Sequence, residues 1–453
     1  MHHVSPYITA LFAAMLVLMI LGLALEEKIH AKKSVIVGVF AMVALFLASV
    51  FGLVHQETVE ILGHPISLPV YIPGVDWEVI AIILGSSIFV DVASKSGLFT
   101  WIAIRLTKAS GGDPLRLLVF YGAMTVIFSA VLNNVTAMII VGTLSAVSLG
   151  KLGRPDKLLG FLLVEGLLTN VGGLLTLISS VPNIIVGNAA GISFVEFFIK
   201  ASPYVLVAAA LTIWMGAKLF RIEPLADDAA RAEAAALVAG FDENDGMESR
   251  GFFWFGAIMT GLFITAMATA SITPYIRDLG LGYVALAFAA IALTRFKATA
   301  DQFYRAIDWD LLAFFGCLFI VINMMEHALV LEAIGHLLAP VMAMGDMAGT
   351  GALLVASAAA SSVTDNIPLA AMLAKILGGM NLPADSSFWW AVIFGANLGG
   401  NITPIGSAST LVAVTIIHKN KLPMSFMSFV KAAVPFAGAQ LALAVAYVLL
   451  VLG

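Results

Sequence analysis

Two apolar stretches, SAVLNNVTAMI at residues 129–139 and SSVTDNIPLAAM at residues 361–372, carry polar residues in the middle of a hydrophobic run. A shift of 232 residues superimposes them, so that Asn133 meets Asp365 and Asn134 meets Asn366. In hydrocarbon, an unpaired backbone N–H or C=O group costs several kcal/mol, so such a break survives only where it faces protein or a wet cavity. The two stretches therefore predict paired interruptions inside a membrane protein.

The composition places the rest of the chain in a membrane as well. Of its 453 residues, 61% are hydrophobic and 11% are charged, whereas about 25% of residues in soluble domains are charged. No soluble core could hide so much apolar surface, which excludes a cytosolic enzyme, a nucleic-acid binder and a disordered chain. The single cysteine, Cys317, excludes a disulfide framework and a multi-cysteine metal site. Residues 8–25 lack a basic leader and a small-residue cleavage site, so we expect a retained helix and not a signal peptide.

Apolar stretches of roughly 20 residues, the length that crosses the hydrocarbon core, occur ten times. The runs 117–150 and 348–380 contain the breaks quoted above, and a straight helix of that length, on the order of 50 Å, would overrun the membrane. We expect each run to be a re-entrant hairpin whose arms, about 16 residues each, are too short to cross. The ten predicted spans are residues 8–25, 34–54, 78–104, 159–190, 194–217, 252–275, 281–296, 309–328, 387–417 and 426–452. The predicted fold is an all-α membrane protein with ten transmembrane helices, two re-entrant hairpins and two broken helices at the midplane.

The basic residues indicate the orientation of the chain. Arg116 and Lys151 flank the first hairpin run, while the loop 55–76 has no Lys or Arg. By the positive-inside rule, both ends of that hairpin are cytoplasmic and both chain termini lie outside, in a cell (inner or plasma) membrane. Residues 218–250, with four basic and eight acidic residues, are predicted to form a solvated cytoplasmic tether. With Lys95 inside a span and only Lys200, Arg277 and Lys375 outside, 19 of the 23 Lys and Arg residues mark the cytoplasmic face.

The second half of the chain repeats the first. The shift of 232 residues also aligns Asp76-Trp77-Glu78 with Asp308-Trp309-Asp310, and a shift of 227 aligns TNVGGLLTLISS at 169–180 with ANLGGNITPIGS at 396–407. The first copy crosses the membrane an odd number of times, so the second copy must be inverted, as is typical of secondary transporters. We therefore predict a first repeat at 1–217, a linker at 218–250 and an inverted second repeat at 251–453.

Four polar interruptions, namely the two hairpin tips and the two broken helices, contain the predicted substrate or ion site. Ends of half-helices carry partial charges of both signs, and freed carbonyls and amides can coordinate a small ion there. The candidate binding residues are Asn133, Asn134, Thr136, Asn170, Gly172, Gly173, Thr176, Asn183, Asp365, Asn366, Asn397, Gly399, Gly400, Thr403 and Ser407.

Ionisable residues within the membrane are the candidates for proton coupling because each is costly to insert. Asp91 and Lys95 are four residues apart, so they share a helix face and can form a structural pair or a transport-active one. Glu165 precedes Asn170, and His327 lies near the end of its span, where an interfacial position is the alternative. Asp365 has no cation within a few residues, so it is predicted to titrate or to bind a metal ion, sodium.

These motifs resemble the ion transporter superfamily, in particular the branch with arsenite permeases, D-type sodium/proton antiporters and the melanosomal P protein, with the citrate-transporter-like domain as the wider family. The resemblance covers nearly the whole chain from about residue 35 and rests on four motifs: SAVLNNVTAMI, the pattern E-x4-N-V-G-G-x2-T-x5-P-N-I-I-V-G from Glu165, SSVTDNIPLAAM and NLGGNITPIGS. It implies two opposed hairpins, a homodimer with a scaffold part and a moving part, and an elevator-like mechanism. It also implies binding roles for Asn133, Asn134, Thr136, Asn170, Thr176, Asp365, Asn366, Asn397 and Thr403.

The resemblance favours a proton-coupled secondary transporter of a small inorganic ion, with sodium/proton exchange as the first interpretation. The first tip reads Asn-Asn where antiporters usually have Asp-Asn, and NLGGNITPIGS leans toward arsenite permeases. An arsenite or antimonite efflux permease is therefore the alternative, and a citrate-like anion symporter is a further one. No phosphate loop, zinc spacing or nucleophile with a base is present, so we expect no enzyme activity and no cofactor beyond bound sodium. The expected partners are lipid and a second copy of the chain.

Overall fold

A computed structural model describes residues 4–54, 57–61, 64–364, 366–380 and 382–453. The all-α prediction is confirmed, with one small addition in the loop 55–76. There, strands β1 (Glu57–Ile61) and β2 (His64–Leu68) pair antiparallel. The helices are α1 (Pro6–Ala24), α2 (Glu26–Ile29), α3 (Lys33–Val50), α4 (Trp77–Lys95), α5 (Leu98–Ala109), α6 (Pro114–Val131), α7 (Asn134–Lys151), α8 (Leu158–Gly172), α9 (Val181–Ala190), α10 (Phe194–Leu219), α11 (Asp228–Ala239), α12 (Arg250–Thr269), α13 (Ile276–Leu293), α14 (Asp301–Ala306), α15 (Trp309–His327), α16 (Val330–Met342), α17 (Asp346–Ser361), α18 (Asn366–Gly379), α19 (Ser387–Gly399), α20 (Ala408–Lys419) and α21 (Phe426–Tyr447).

Ten helices in the described part of the chain are long and apolar enough to cross a membrane, but they are not the ten predicted spans. The runs 159–190 and 387–417 are each divided into two short helices, α8 with α9 and α19 with α20. The arms α6 and α7 of the first hairpin take their place in the count, at 18 residues each. Each arm is two residues longer than the roughly 16 predicted and extends about 27 Å, so by length and composition alone it could cross a membrane. The arms α17 and α18 of the second hairpin have 16 and 14 residues.

The predicted span 78–104 is also divided, which the hydrophobic pattern did not indicate. Gly97, with φ of 82°, separates α4 from the 12-residue helix α5. The same shift of 232 residues leads to Leu329, with φ of 58°, which separates α15 from the 13-residue helix α16. Each repeat therefore turns at a left-handed residue, although only the first uses the glycine that makes this conformation inexpensive.

The two repeats make the same local contacts and then pack on each other. Asp76 and Asp308 cap α4 and α15, and Trp77 and Trp309 each donate an indole N–H to the backbone carbonyl five residues earlier. Helix α4 packs mainly on α13 of the other repeat, and α15 packs mainly on α3. The duplicated motifs thus have one structural role in both halves, while the proposed boundaries of the repeats remain a prediction.

Residues 218–250, called the strap below, are mostly exposed, as predicted, but they are not a free tether, and that part of the prediction was wrong. The strap contains α11, which packs on α5, and its Leu225 N–H donates to Asp113 Oδ2 at 2.8 Å. Glu243 Oε1 and Oε2 accept from Lys108 Nζ at 3.2 Å and from Arg105 Nη1 at 3.1 Å, respectively. The apolar residues Ile222, Leu225, Val238 and Phe241, interspersed among the charges, are buried.

The Glu243 contact gives a first prediction, for Glu243→Gln. Partial desolvation acts to raise the pKa of Glu243, but hydrogen bonds and positive charge from Lys108 and Arg105 outweigh it and hold the pKa below its usual 4.5. A lowered carboxyl pKa means that the contact is complete above 4.5 and is lost only as the pH falls through the lowered value. Loss of the ion pair should loosen the strap, so trypsin should cleave it at Arg231 faster in the variant. The increase should be at most about fivefold, because exposed ion pairs contribute little to stability. The matched control is Glu233→Gln, on an exposed residue of α11; equal rates for both variants would refute a role for the ion pair.

Candidate functional site

The tip of the first hairpin presents two asparagines with different roles. Asn133 is exposed, and its Oδ1 accepts from the Thr136 N–H at 2.8 Å, which caps α7. Asn134 is partly buried, and its Nδ2 lies 3.4 Å from Asn170 Oδ1, at the end of α8. Ser129 Oγ lies 2.6 Å from both Asn134 Oδ1 and the Thr169 carbonyl, so its single proton is shared between tip and break. The tip of the first hairpin therefore contacts the interruption between α8 and α9, which we call the first break; the interruption between α19 and α20 is the second break.

Each tip is joined to its break by the same two hydrogen bonds in both repeats. In each repeat, one donor is a serine hydroxyl of the hairpin and the other is a threonine hydroxyl in the loop of the broken helix. All four donor–acceptor distances are 2.6 Å. The bonds run from Ser129 Oγ to the Thr169 carbonyl, from Thr176 Oγ1 to the Ala130 carbonyl, from Ser361 Oγ to the Ala396 carbonyl and from Thr403 Oγ1 to the Ser362 carbonyl.

Close backbone contact explains the first glycine of each Gly-Gly pair. A Cβ on Gly172 would lie 2.7 Å from Val126 Cα and 2.8 Å from its carbonyl oxygen. A Cβ on Gly399 would overlap the carbonyl oxygen of Ala358 and lie 2.7 Å from Ser361 Cβ. Only a hydrogen fits at these two positions, so the hairpin arms can rest directly on α8 and α19.

The two breaks also exchange contacts across the repeats, in what we call the seam: Asn170, Ser180, Asn397 and Ser407. Asn170 Nδ2 donates to Ser407 Oγ at 2.9 Å, and Ser180 Oγ donates to Asn397 Oδ1 at 2.7 Å. Ser180 and Ser407 precede the first residues of α9 and α20, respectively. The asparagine that ends one half-helix thus always pairs with the serine that begins a half-helix of the other repeat.

Further buried amides saturate the seam. Asn401 Oδ1 accepts from Asn170 at 2.8 Å, and Asn397 Nδ2 donates to Asn183 Oδ1 at 2.8 Å. Asn401 Nδ2 in turn donates to Gln440 Oε1, also at 2.8 Å. Asn170, Asn183, Asn397 and Asn401 are fully buried, and both N–H groups of each have acceptors. In this conformation the N–H groups of these four amides are therefore all bonded within the protein.

Asn401 and Gln440 were missed as site residues in the sequence. Asn401 lies within the motif NLGGNITPIGS, between Gly400 and Thr403, which were predicted as binding residues. Its position in the motif could therefore have identified it as a site residue. Gln440 is 1% exposed in the apolar second half of helix α21. A lone amide in an apolar span indicates a buried partner, and this signal could have identified it.

The predicted ionisable residues that the structure describes do not gather at one place. Asp365 lies outside the described residues, next to Asn366, which is buried at the start of α18. Lys95 ends α4, with its Nζ 3.8 Å from Asp91 Oδ2 and 4.0 Å from the centre of the Phe303 ring. Both side chains of the pair are more than a third exposed, so its electrostatic attraction is weakened by solvent.

His327 and Glu165 also occupy different environments. His327 ends α15, and its Nδ1 lies 2.9 Å from the Asn323 carbonyl of the same helix. Glu165 is fully buried on α8 and lies 2.5 Å from Ser145 Oγ. Among these two and the Asp91–Lys95 pair, Glu165 alone is on a helix that forms a break.

The described part of the site is electrically neutral. Hydroxyls, amides and backbone groups line the tips and breaks, and the described residues contain no cluster of three or more His, Cys, Asp or Glu that could hold a metal ion. The ends of α6 and α8 and the starts of α7 and α9 meet there, as do their counterparts in the other repeat. Such a site offers partial charges of both signs to a small ion.

Several known proteins are similar to this chain in sequence or in fold. An uncharacterized transporter of Mycobacterium bovis is 28% identical over 83% of this chain and 86% of its own length. The P protein of Mus musculus is 24% identical over 94% of this chain and 61% of its own length. The crystal structure of the YdaH transporter of Alcanivorax borkumensis superimposes with a TM-score of 0.60 over 92% of this chain and 98% of that one, at 13% identity, which supports the fold alone.

The family assignment follows from a match over most of the chain. A family model described as citrate transporter matches residues 16–395. This agrees with the predicted citrate-transporter-like domain, and the P protein match agrees with the predicted branch. The chain is an integral membrane transporter and belongs to the citrate transporter family, CitMHS.

Proposed function

We propose that this transporter is a secondary active antiporter that exchanges sodium for protons by an elevator-type motion, as a homodimer. The observation that carries the proposal is the oxygen-rich lining of the described parts of the two tips, which are joined to the breaks by the four 2.6 Å hydrogen bonds. Half-helix carbonyl ends and side-chain oxygens are the ligands that sodium-coupled carriers use at such breaks. Asn133, Thr136 and Asp365 supply oxygens near the tips, and Asp365 supplies the negative charge that a bound cation needs.

The seam supports a moving part that travels as one body. Its hydrogen bonds, at 2.7–2.9 Å between fully buried or nearly buried groups, connect the two broken helices. The 2.6 Å hydrogen bonds attach each hairpin to its own broken helix. A unit linked in this way would carry its ion site with it, while α3, α4, α13 and α15, which pack on each other across the repeats, would form the scaffold. Asp91, Lys95, Glu165 and His327 remain candidates to relay or tune the protons.

The test of this function is Asp365→Asn in proteoliposomes with an imposed pH gradient. Sodium-dependent proton flux should fall to the level of protein-free liposomes, because the amide cannot exchange a proton for a cation. Asp346→Asn, on an exposed acid of the same hairpin, is the control and should retain flux. Flux that persists in the Asp365 variant would make Asp365 structural and overturn sodium/proton exchange at this site.

The family assignment favours one second candidate, proton-coupled uptake of a citrate-like anion. Four half-helix starts, at α7, α9, α18 and α20, direct their partial positive ends toward the tips and breaks, which suits a carboxylate. A panel of sodium, lithium, arsenite and citrate against the same pH gradient separates the candidates. Arsenite efflux, the remaining alternative, should survive Asp365→Asn but fail when Asn134 and Asn366 are both replaced.

A further inference from the structure

Glu165 is a carboxyl group without a counter-charge. It is 0% exposed on α8, and Oε2 has no hydrogen-bond partner in the described part of the chain. Oε1 accepts from Ser145 Oγ on α7 at 2.5 Å. An isolated carboxylate in such surroundings is costly, whereas a neutral carboxylic acid is not.

The groups that surround Glu165 offer no compensating cation. Tyr121 on α6 interacts with it electrostatically and is itself fully buried. The other helices that pack on α8 carry their charges near their ends. These are Arg116 of α6, Lys151 of α7, Asp156 and Lys157 of the short 3-10 helix Pro155–Lys157, Glu196, Lys200 and Lys218 of α10, His418 and Lys419 of α20, and Lys431 of α21. Tyr204 of α10 and Tyr447 of α21 bond to backbone carbonyls.

We propose that Glu165 is a proton-binding site, occupied in this conformation and reached from the ends of α5, α6 and α7 through a string of buried hydroxyls. The string starts at Thr107, whose Oγ1 lies 2.6 Å from Tyr121 Oη. Tyr121 Oη lies 2.8 Å from Ser148 Oγ, and Ser148 is one helical turn from Ser145. All of these side chains are 0–2% exposed.

The proton transfer conserves charge and bonds along this string. When the Glu165 carboxylate takes up a proton, one O–H bond forms at Glu165 as one breaks at Ser145. Each hydroxyl back toward Thr107 receives a proton as it gives one up. No hydrogen bond joins the described side chains of Ser148 and Ser145 in this conformation, so the transfer between them requires one of these side chains to rotate. The last proton comes from water at the end predicted to be cytoplasmic. Rotation of the hydroxyls resets the string, and loss of the proton runs the same steps in reverse.

This proposal deepens the proposed function, because a proton-coupled carrier needs a site that binds a proton. It differs from the proposed function in that it requires no particular substrate. Buried Glu165 would hold its proton whether the tips bind sodium, arsenite or citrate.

Infrared difference spectroscopy of the full chain in lipid nanodiscs tests the site directly. The wild type should show the carbonyl stretch of a buried carboxylic acid at neutral pH, and Glu165→Gln should remove it. Ser145→Ala should shift the band to higher frequency, since one hydrogen bond to the carbonyl oxygen is lost, and this variant also serves if the Gln variant folds poorly. Glu196→Gln, on an acid paired with Lys200, is the control and should leave the band intact.

The path is tested by the rate at which the Glu165 band shifts after transfer to heavy water. Tyr121→Phe removes the central hydroxyl and should slow the shift at least tenfold. Tyr204→Phe removes another fully buried tyrosine hydroxyl, bonded to the Gln440 carbonyl, and should not slow it. Equal rates for both variants would overturn the path, and a band that survives Glu165→Gln and does not move in Ser145→Ala would overturn the site. A chain with the band but no sodium exchange would refute the proposed function alone.

Discussion

Replacing Asn397 with alanine should abolish transport and lower the apparent melting temperature more than any substitution on the surface. Asn397 Nδ2 donates to Asn183 Oδ1 and to the Ile393 carbonyl, and its Oδ1 accepts from Ser180. Each buried partner left unsatisfied costs about 1–3 kcal/mol. Because Asn183 and Ser180 belong to the other repeat, the loss weakens the link between the two breaks as well as the fold.

The measurement is thermal unfolding in detergent together with flux in proteoliposomes. Asn170→Ala, the counterpart in the first repeat, should behave alike, since Asn170 donates to Asn401 and Ser407. Asn420→Ala is the control, because Asn420 is exposed and bonds to a carbonyl of its own helix. If Asn397→Ala matches the control in both stability and flux, the seam does not hold the moving part together.

Alanine at Gly172 or Gly399 is the second substitution with a large expected effect. The added Cβ would lie within 2.8 Å of the Val126 backbone in the first repeat and overlap the Ala358 carbonyl in the second. Backbone cannot move aside as a flexible side chain does, and overpacking of this kind costs typically 1–3 kcal/mol. The hairpin would be displaced from its broken helix, which would disrupt the 2.6 Å hydrogen bonds and stop transport.

Gly438→Ala is the matched control, because it adds the same methyl group within α21 where no atom lies within 4 Å. There alanine should stabilise the helix, by up to about 1 kcal/mol. The melting temperature of this variant should therefore rise, whereas those of the Gly172 and Gly399 variants should fall, and its flux should stay at the wild-type level. Full flux in both of those variants would mean that tip and break need not stay in contact.

Most of the architecture could be predicted because hydrocarbon penalises polar residues one by one. The pattern LNNVT at 132–136 indicated a hairpin tip, and the duplicated motifs indicated a second tip in the same relation to a second break. The equivalent bonds of Ser129 and Ser361 follow that register. The length of the first hairpin's arms and the packing of the strap could not be predicted in the same way. Both depend on which neighbours cover a residue.

The same limit applies to the turn between α15 and α16. Leucine has no preference for the left-handed conformation, so nothing local marks Leu329 as a breaking point, whereas its counterpart Gly97 has an obvious reason to be one. Only tertiary packing compels the leucine into that conformation. Gln440 and Asn401 are comparable, since their roles depend on amides from distant helices.

The sequence by itself determined that this protein lies in a membrane, where its breaks fall and which residues correspond between its halves. These are properties of each residue's transfer into hydrocarbon and of the repeat register. The tertiary structure decided that Asn170 pairs with Ser407 and Asn397 with Ser180, and that Glu165 is enclosed without a counter-charge. Hydrogen-bond partners and desolvation depend on distances between atoms far apart in the chain, and only the packing of the two halves sets those distances.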